Sequence, residues 1–199
     1  MNEIEQSLVR VKEELGRIGR RWSLVGGLAV SARAEPRFTR DIDLAVAVDD
    51  DESAEAIVMQ LSERGLEVLA SLEQEATSRL ATVRLGSVRG AVGVVVDLLF
   101  ASSGIEAEVV EQAELLEIFP QLHVPVARIG HLIALKILSR NDMGRPQDLA
   151  DLRALVKEAS DEELELTRSS LALIGQRGYQ RGRDLEGQFE VLLKDLGRH

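Results

Sequence analysis

The chain has 199 residues, no cysteine and a formal net charge of −10. The lack of cysteine excludes disulfides, thiolate metal sites and cysteine nucleophiles, and it suits a reducing cytoplasm. The acidic balance argues against a general nucleic-acid-binding protein, because no global field would attract phosphate backbones. It does not exclude a polynucleotide held by a local basic patch.

The N-terminal segment and the apolar runs bear on localisation. Residues 1–21 are charged throughout and lack the apolar region of a secretory signal. The longest apolar run, 92–101, is much shorter than the roughly 18–20 residues that span a bilayer. We therefore expect a cytoplasmic protein without a membrane segment.

Hydrophobic periodicity predicts an N-terminal α/β unit that ends near residue 103. Ser53 is predicted to cap one of its helices. The predicted elements are a helix over 3–18, a strand over 22–25, a turn at Gly26-Gly27, a helix over 28–34, a strand over 41–48, a helix over 54–64, and strands over 66–69, 79–85 and 92–100.

The second half of the chain is predicted to be mainly helical. Its predicted elements are a short helix over 105–110, a hairpin-like connector over 113–126, and helices over 129–137, 146–156, 161–174 and 179–196. We therefore predict two domains, an α/β core over 1–103 and a connector with a helical domain over 104–199.

Asp41 and Asp43 are the first candidate site residues. They stand at positions i and i+2 of a strand, so both carboxylates leave the same face of the sheet. Carboxylates that converge in this way can bind Mg²⁺, which shares its ligand shell with substrate phosphates. The pair alone is a weak signal, and a solvated strand end beside the acidic loop 49–51 is the alternative.

Asp97 lies inside the apolar run 94–100 (VVVDLLF). Burying an unpaired carboxylate there would cost on the order of several kcal/mol. Asp97 therefore pairs with a base, meets solvent, or joins a metal cluster as a third carboxylate that can also accept a proton. A salt bridge to Arg84 or Arg89 is the alternative to the cluster.

Gly26 and Gly27 precede a predicted helix. Glycines let a backbone approach a ligand closely, and the start of a helix offers free N–H groups to phosphate. A Gly-Gly turn is common, so this feature alone is a weak signal.

Taken together, these segments resemble a known enzyme family. The order of 26–30 (GGLAV), 37–44 (RFTRDIDL) and Asp97 is similar to the nucleotidyltransferase superfamily with a DNA polymerase β-like core. The segments 130–140 (GHLIALKILSR) and 145–152 (RPQDLADL) extend the resemblance to AbiEii-type nucleotidyltransferases, the toxins of type IV toxin–antitoxin pairs. The resemblance covers about residues 22–156.

The resemblance implies an α+β fold, with a mixed sheet flanked by helices and followed by a C-terminal helical bundle. It implies transfer of a nucleoside monophosphate from an NTP to an acceptor hydroxyl, with one or two Mg²⁺ ions as cofactors. The implied catalytic residues are Asp41, Asp43, Asp97 and Lys136, of which the three aspartates bind metal. The implied nucleotide-binding residues are Gly26, Gly27, Arg37, Thr39, Arg40, Lys136, Arg140 and Asp148.

Structural roles are the alternatives for the helical residues. Lys136 could extend to solvent from an apolar helix face, and Arg145 with Asp148 could be a charge pair at a helix start. The chain also departs from the superfamily, which has a serine directly after the glycine turn. Leu28 stands there, so Ser23, Ser31 or backbone N–H groups must replace that serine.

The resemblance implies RNA, such as a tRNA 3′ end, as the acceptor and a cognate antitoxin as a partner. A basic cluster of Arg177, Arg181 and Arg183 is a candidate RNA contact, and a solvated face is the alternative. A cationic aminoglycoside is the alternative acceptor, because the chain is acidic. A non-catalytic module that binds a nucleotide or a partner is the alternative from another functional class.

Overall fold

The computed structural model describes residues 2–74, 78–87, 94–140 and 146–198. In chain order its elements are α1 (Glu3–Arg17), β1 (Trp22–Val25), α2 (Gly26–Arg33), β2 (Asp41–Val46), α3 (Asp51–Glu63), β3 (Leu66–Glu73), β4 (Leu80–Ser87), β5 (Val95–Leu99), α4 (Glu106–Glu111), β6 (Glu114–Phe119), β7 (Leu122–Val126), α5 (Ile129–Ser139), α6 (Pro146–Glu158), α7 (Asp161–Gln176) and α8 (Leu185–Asp195).

The strands of the described residues form one seven-stranded sheet in the order β3-β4-β5-β2-β1-β7-β6. The sheet is mixed: β2 runs parallel to β5 and β1 parallel to β7, and the other neighbours are antiparallel. The predicted α+β fold, a mixed sheet with C-terminal helices, is confirmed.

Strand β2 occupies the centre of the sheet, between β1 and β5. Ile42 and Leu44 are fully buried, whereas Asp41 is exposed and Asp43 is half-buried. This alternation follows the predicted period of two and directs both aspartates to one face. The strand ends at Val46, two residues earlier than predicted.

Helix α5 is the central helix of the C-terminal half, where it packs against α6, α7, α8 and also α2. A helix that is apolar nearly all round must be buried, and α5 buries Gly130, His131, Leu132, Ile133, Ala134, Ile137 and Leu138. Its contact with α7 is close, because a Cβ atom added at Gly130 would lie 2.5 Å from the carbonyl oxygen of Glu163. This packing holds the backbone of Lys136 in a fixed position.

The hairpin predicted as a connector belongs to the sheet. β6 and β7 pair with each other, and β7 joins β1 with Val126 opposite Leu24. The sheet therefore continues beyond residue 103. The division into a core over 1–103 and a helical domain over 104–199 stays a prediction.

Three predicted helix starts are wrong. Helix α2 begins at Gly26, so the two glycines predicted as a turn are its first residues. Asp50, not Ser53, caps α3, since its carboxylate accepts a hydrogen bond of 2.8 Å from the backbone N–H of Ser53. Aspartate caps a helix as well as serine does, and the earlier start adds a turn. Helix α8 begins at Leu185 rather than at residue 179, because Arg181 and Gly182 have positive φ and Asp184 supplies the cap.

Other predicted elements differ in extent. The strand predicted over 66–69 extends to Glu73 and forms a long hairpin with β4. Residues 92 and 93 of the strand predicted over 92–100 lie outside the described residues. No helix within the described ranges combines the length and the apolar character that crossing a bilayer requires.

Candidate active site

A cavity of about 550 Å³ lies between one end of the sheet and the helices α5 and α6. Most of the predicted site residues line it, namely Gly26, Gly27, Arg37, Thr39, Asp41, Asp43, Asp97, Lys136 and Asp148. The sheet supplies the aspartates and the helices supply Lys136 and Asp148. Residues far apart in the chain thus meet in one cavity.

The register of the parallel strands β2 and β5 brings the carboxylates together. Asp43 lies directly beside Asp97, and Asp41 lies beside Val95. Burial raises the pKa of Asp43 from its ordinary value of 3.8 to about 6, and the negative charges of Asp97 and Asp41 add to this effect. Lys136 and a hydrogen bond from the Gly27 backbone oppose it. The cavity therefore holds an excess of negative charge at this point.

Arg84 is the direct partner of Asp97. The two residues stand opposite each other on the antiparallel strands β4 and β5. Arg84 donates two hydrogen bonds, from Nε to Oδ1 at 2.9 Å and from Nη2 to Oδ2 at 2.7 Å. These bonds and the charge of Asp97 raise the pKa of Arg84 further above its ordinary value. Asp97 thus forms the salt bridge to Arg84 that the sequence offered as an alternative. Arg89, the other candidate partner, lies outside the described residues.

The donor chemistry of the three aspartates fits a hard divalent cation, which prefers carboxylate oxygens. Burial is the main cause of the raised pKa of Asp43 and the negative charges of Asp97 and Asp41 add to it, so a bound cation would stabilise the charged form of this carboxylate. No three acidic or histidine side chains among the described residues are already arranged around a common metal position. Asp97 has both oxygens turned to Arg84 in this arrangement.

Gly26 makes room for Asp43. It starts α2 with a φ of +65°, and a Cβ atom added there would lie 1.9 Å from Oδ2 of Asp43. The neighbouring Gly27 makes room for Arg37, whose Nη2 would lie 2.3 Å from an added Cβ atom. The N-cap residue Val25 makes no side-chain cap bond, and in the first turn of α2 the backbone N–H of Gly27 donates to Asp43.

Gly26→Ala tests this close approach. We expect it to displace Asp43 and to reduce nucleotide transfer by roughly a hundredfold, because small misplacements of reacting groups are costly. Gly19→Ala is the matched control: Gly19 has the same φ of +65° with nothing within 4 Å. Steady-state kinetics and thermal melts of both variants separate backbone strain from the contact. Equal activity of the two variants would contradict a role for the Gly26–Asp43 contact.

Lys136 is held by two buried carboxylates of α6. Its Nζ lies 2.8 Å from Oδ1 of Asp148 and 2.8 Å from Oδ2 of Asp151. The contact with Asp148 is a hydrogen bond, and the contact with Asp151 is an ion pair. Lys136 therefore does not extend into bulk solvent, and only 13% of its side chain is exposed.

Asp151 connects Lys136 to Arg37. Its Oδ1 lies 2.9 Å from Nε of Arg37 and accepts a hydrogen bond of 3.2 Å from Gln147. Sequence reasoning missed Asp151, although its position three residues after Asp148 puts both on one helix face. Asp148 keeps one buried oxygen, Oδ2, without a hydrogen-bond donor among the described residues. The role of Arg145 is untested, because it lies outside those residues.

Some predicted residues do not line the cavity. Arg40 is exposed and lies over the ring of Phe38 at 5.5 Å, beside a neighbouring groove. Arg140 is also absent from the cavity wall among the described residues. Ser23 is buried in β1, and Ser31 bonds to the backbone of 27 and 37. The serines on the cavity wall are instead Ser102, Ser103 and Ser139.

The predicted basic cluster is divided in the structure. Arg177 forms two hydrogen bonds with Glu108, and Arg183 bonds to the carbonyls of residues 138 and 140. Arg181 lines the cavity and donates to the carbonyl of Ser102. Of these three arginines, only Arg181 lies on the wall of the cavity.

Comparison with known proteins gives a consistent result. The family model for the nucleotidyl transferase AbiEii toxin of type IV TA systems matches residues 14–197. No curated protein matches the chain.

Two solved structures have a similar fold. An antigenic nucleotidyltransferase-like protein from Paracoccidioides brasiliensis matches with a TM-score of 0.55 and 18% identity, over 96% of this chain and 92% of that chain. The antibiotic-resistance factor ANT(2'')-Ia matches with a TM-score of 0.56 and 17% identity, over 89% of this chain and 94% of that chain. At these identities the likeness concerns the fold alone.

Proposed function

Because the chain belongs to the AbiEii nucleotidyltransferase toxin family, we propose that it transfers a nucleoside monophosphate from an NTP to a hydroxyl group of RNA. The reaction releases pyrophosphate and depends on Mg²⁺. An RNA end, such as the 3′ end of a tRNA, is the proposed acceptor. The proposed cellular role is that of a toxin that a cognate antitoxin restrains.

One observation carries this proposal: three carboxylates and a lysine from separate parts of the chain line the same cavity. Asp41, Asp43 and Asp97 supply the negative charge on the sheet side. Lys136 supplies a positive charge on the helix side. A polyphosphate with bound cations needs both kinds of partner.

The side chains have separate roles in the proposed reaction. Lys136 and the N–H groups at the start of α2 hold the triphosphate and orient its α-phosphorus. The acceptor oxygen attacks that phosphorus, the bond to pyrophosphate breaks, and Asp97 accepts the proton of the attacking hydroxyl. Asp151 keeps Lys136 directed at the cavity through the ion pair described above.

Asp41, Asp43 and Asp97 would hold the Mg²⁺. When bound, the ion neutralises the negative charge that develops on the phosphoryl oxygens during transfer.

A groove beside the cavity supports a nucleic-acid acceptor. The groove has a volume of about 610 Å³ and shares Arg37 and Thr39 with the cavity. Phe38 is 78% exposed there, and Arg40 lies over its ring. An exposed aromatic ring next to a guanidinium can stack a base and contact a phosphate.

The test is a transfer assay with each NTP labelled either at the α- or at the γ-phosphate, in the presence of Mg²⁺ and total RNA. We expect label in RNA only from the α-labelled NTP and none with Asp41→Asn. A parallel reaction with aminoglycosides tests the alternative acceptor, which the net charge of −10 favours. Label in the antibiotic alone would overturn the RNA proposal, and no transfer with either acceptor would overturn the enzymatic one.

A cell-based assay separates the enzyme from a non-catalytic module. Expression of the wild-type protein is expected to stop growth, and Asp41→Asn is expected to remove this effect. Toxicity that survives this substitution would support a module that acts by binding alone.

A further inference from the structure

Arg84 lines the cavity, and its guanidinium binds both carboxylate oxygens of Asp97, a proposed metal ligand. The guanidinium donates one hydrogen bond to each oxygen of Asp97. The side chain of Arg84 is nevertheless 49% exposed, whereas that of Asp97 is 12% exposed. The pair thus joins a mostly buried carboxylate to a half-exposed cation.

The charges around Arg84 explain why it lies there. Asp97 sits beside Asp43, and Asp41 is on the same strand face, so three negative groups share one end of the sheet. Lys136, the cation across the cavity, is already paired with Asp148 and Asp151. In the protein without metal, Arg84 is therefore the cation that balances the buried charge of Asp97.

We propose that Arg84 and a divalent ion compete for Asp97, so that metal binding releases Arg84 and frees Asp97 for the reaction. This inference rests on the proposed function. The guanidinium occupies one lone pair on each oxygen of Asp97, and its positive charge repels a divalent cation that approaches the same carboxylate. Arg84 is thus a positioning residue that links metal occupancy to the availability of Asp97.

The exchange needs little rearrangement of the fold. Asp97 is held by strand pairing on both sides, with β2 and with β4. Arg84 is attached to β4 by a long side chain whose half-exposed end can rotate into the cavity without unpacking the core. Only one side chain must move, and the proposed metal ligands keep their backbone positions.

Arg84→Gln is the test variant, and Mn²⁺ without nucleotide is the probe. We expect Arg84→Gln to bind Mn²⁺ roughly tenfold more tightly than wild type by calorimetry, because the ion no longer displaces a charge-assisted hydrogen-bonded pair. The Mn²⁺ concentration that half-saturates transfer should fall by a similar factor. Arg177→Gln is the control, since Arg177 also donates two hydrogen bonds to one carboxylate, that of Glu108, and one to the carbonyl of Gly104, away from the cavity.

Thermal melts give a second, independent readout. Without metal, Arg84→Gln should melt below Arg177→Gln, because it leaves the buried Asp97 unpaired. Saturating Mn²⁺ should remove that difference. A salt bridge that only orients Asp97 and persists with bound metal would give the opposite pattern: unchanged or weaker Mn²⁺ binding and a melting deficit that Mn²⁺ does not remove. That pattern would overturn the exchange.

Arg84→Lys decides the question if Arg84→Gln does not fold. Lysine keeps the charge but cannot make the two parallel bonds. The Mn²⁺ affinity of Arg84→Lys should therefore be higher than that of wild type and lower than that of a site in which Asp97 has no basic partner. An affinity at or below that of wild type would overturn the exchange. Failure of the proposed function is distinguishable, because wild type would then transfer no nucleotide to any acceptor.

Discussion

Asp43→Asn is expected to reduce nucleotide transfer by on the order of a thousandfold or more while raising the melting temperature of the metal-free protein. The loss of transfer follows from removing one of three carboxylates at the proposed metal position. The gain in stability follows from the pKa of Asp43, which the fold raises from 3.8 to about 6. Above that pH the charged carboxylate destabilises the fold, first because it is buried and second because it lies near Asp97 and Asp41.

The pH dependence fixes the sign of this effect. A carboxyl group whose folded pKa is raised destabilises the fold fully above about pH 6, and this destabilisation decreases as the pH falls from 6 towards 3.8. Asparagine removes it at every pH. The free energy of unfolding should therefore rise by about 3 kcal/mol at about pH 8, a melting shift of about 6–12 °C, and the gain should vanish below about pH 3.

Asp49→Asn is the control for charge alone. Asp49 is exposed, follows the same strand and does not line the cavity among the described residues. Its variant should keep both transfer and melting temperature. Added Mg²⁺ with NTP should stabilise the wild type and leave Asp43→Asn unchanged. A variant of Asp43 that melts lower than wild type at every pH would show that the carboxylate stabilises the fold.

Lys136→Met is expected to cost about 3–5 kcal/mol of stability, because it leaves the buried carboxylates of Asp148 and Asp151 without their shared cation. Transfer should fall by roughly a hundredfold or more, because the charge that is proposed to hold the triphosphate is lost. Urea denaturation and single-turnover kinetics measure the two losses separately. Lys157→Met is the control, since its ion pair with Glu35 is long, at 3.8 Å, and largely exposed. It should cost less than about 1 kcal/mol.

The double variant Lys136→Met/Asp148→Asn separates the structural role of the lysine from its catalytic one. Neutralising Asp148 removes one uncompensated buried charge, and Arg37 still pairs with Asp151. We expect the double variant to regain most of the lost stability and none of the lost transfer. Recovery of transfer along with stability would mean that Lys136 acts only as a structural partner of the two aspartates.

Local patterns in the sequence determined most of the strands and helices. The period of two in 41–46 and the period of three to four in 3–17 are properties of consecutive residues, so the β2 and α1 assignments needed no distant contact. The motif order also indicated the enzyme family, which the match over 14–197 confirms. The start of α3 was wrong because three consecutive aspartates and a serine offered several caps of similar strength.

Distant contacts decided the composition of the site. The spacing of Asp41 and Asp43 could be read within one strand, but their meeting with Asp97 depends on β2 and β5 becoming neighbours. Arg84 was one of two candidate partners for Asp97 until the register of β4 and β5 placed it opposite. Asp151 stood in the sequence as an ordinary helix residue, and only the packing of α6 against α5 brought it to Lys136.

The glycine turn illustrates the same division. The sequence by itself determined that Gly26 and Gly27 join a strand to a helix, because two glycines between such patterns permit the required backbone. The tertiary structure decided what these glycines make room for: the carboxylate of Asp43 and the guanidinium of Arg37. Periodicity and spacing reflect how neighbouring residues are arranged along the chain. The charges that meet in the cavity come from distant segments, which only the packing of the sheet and helices brings together.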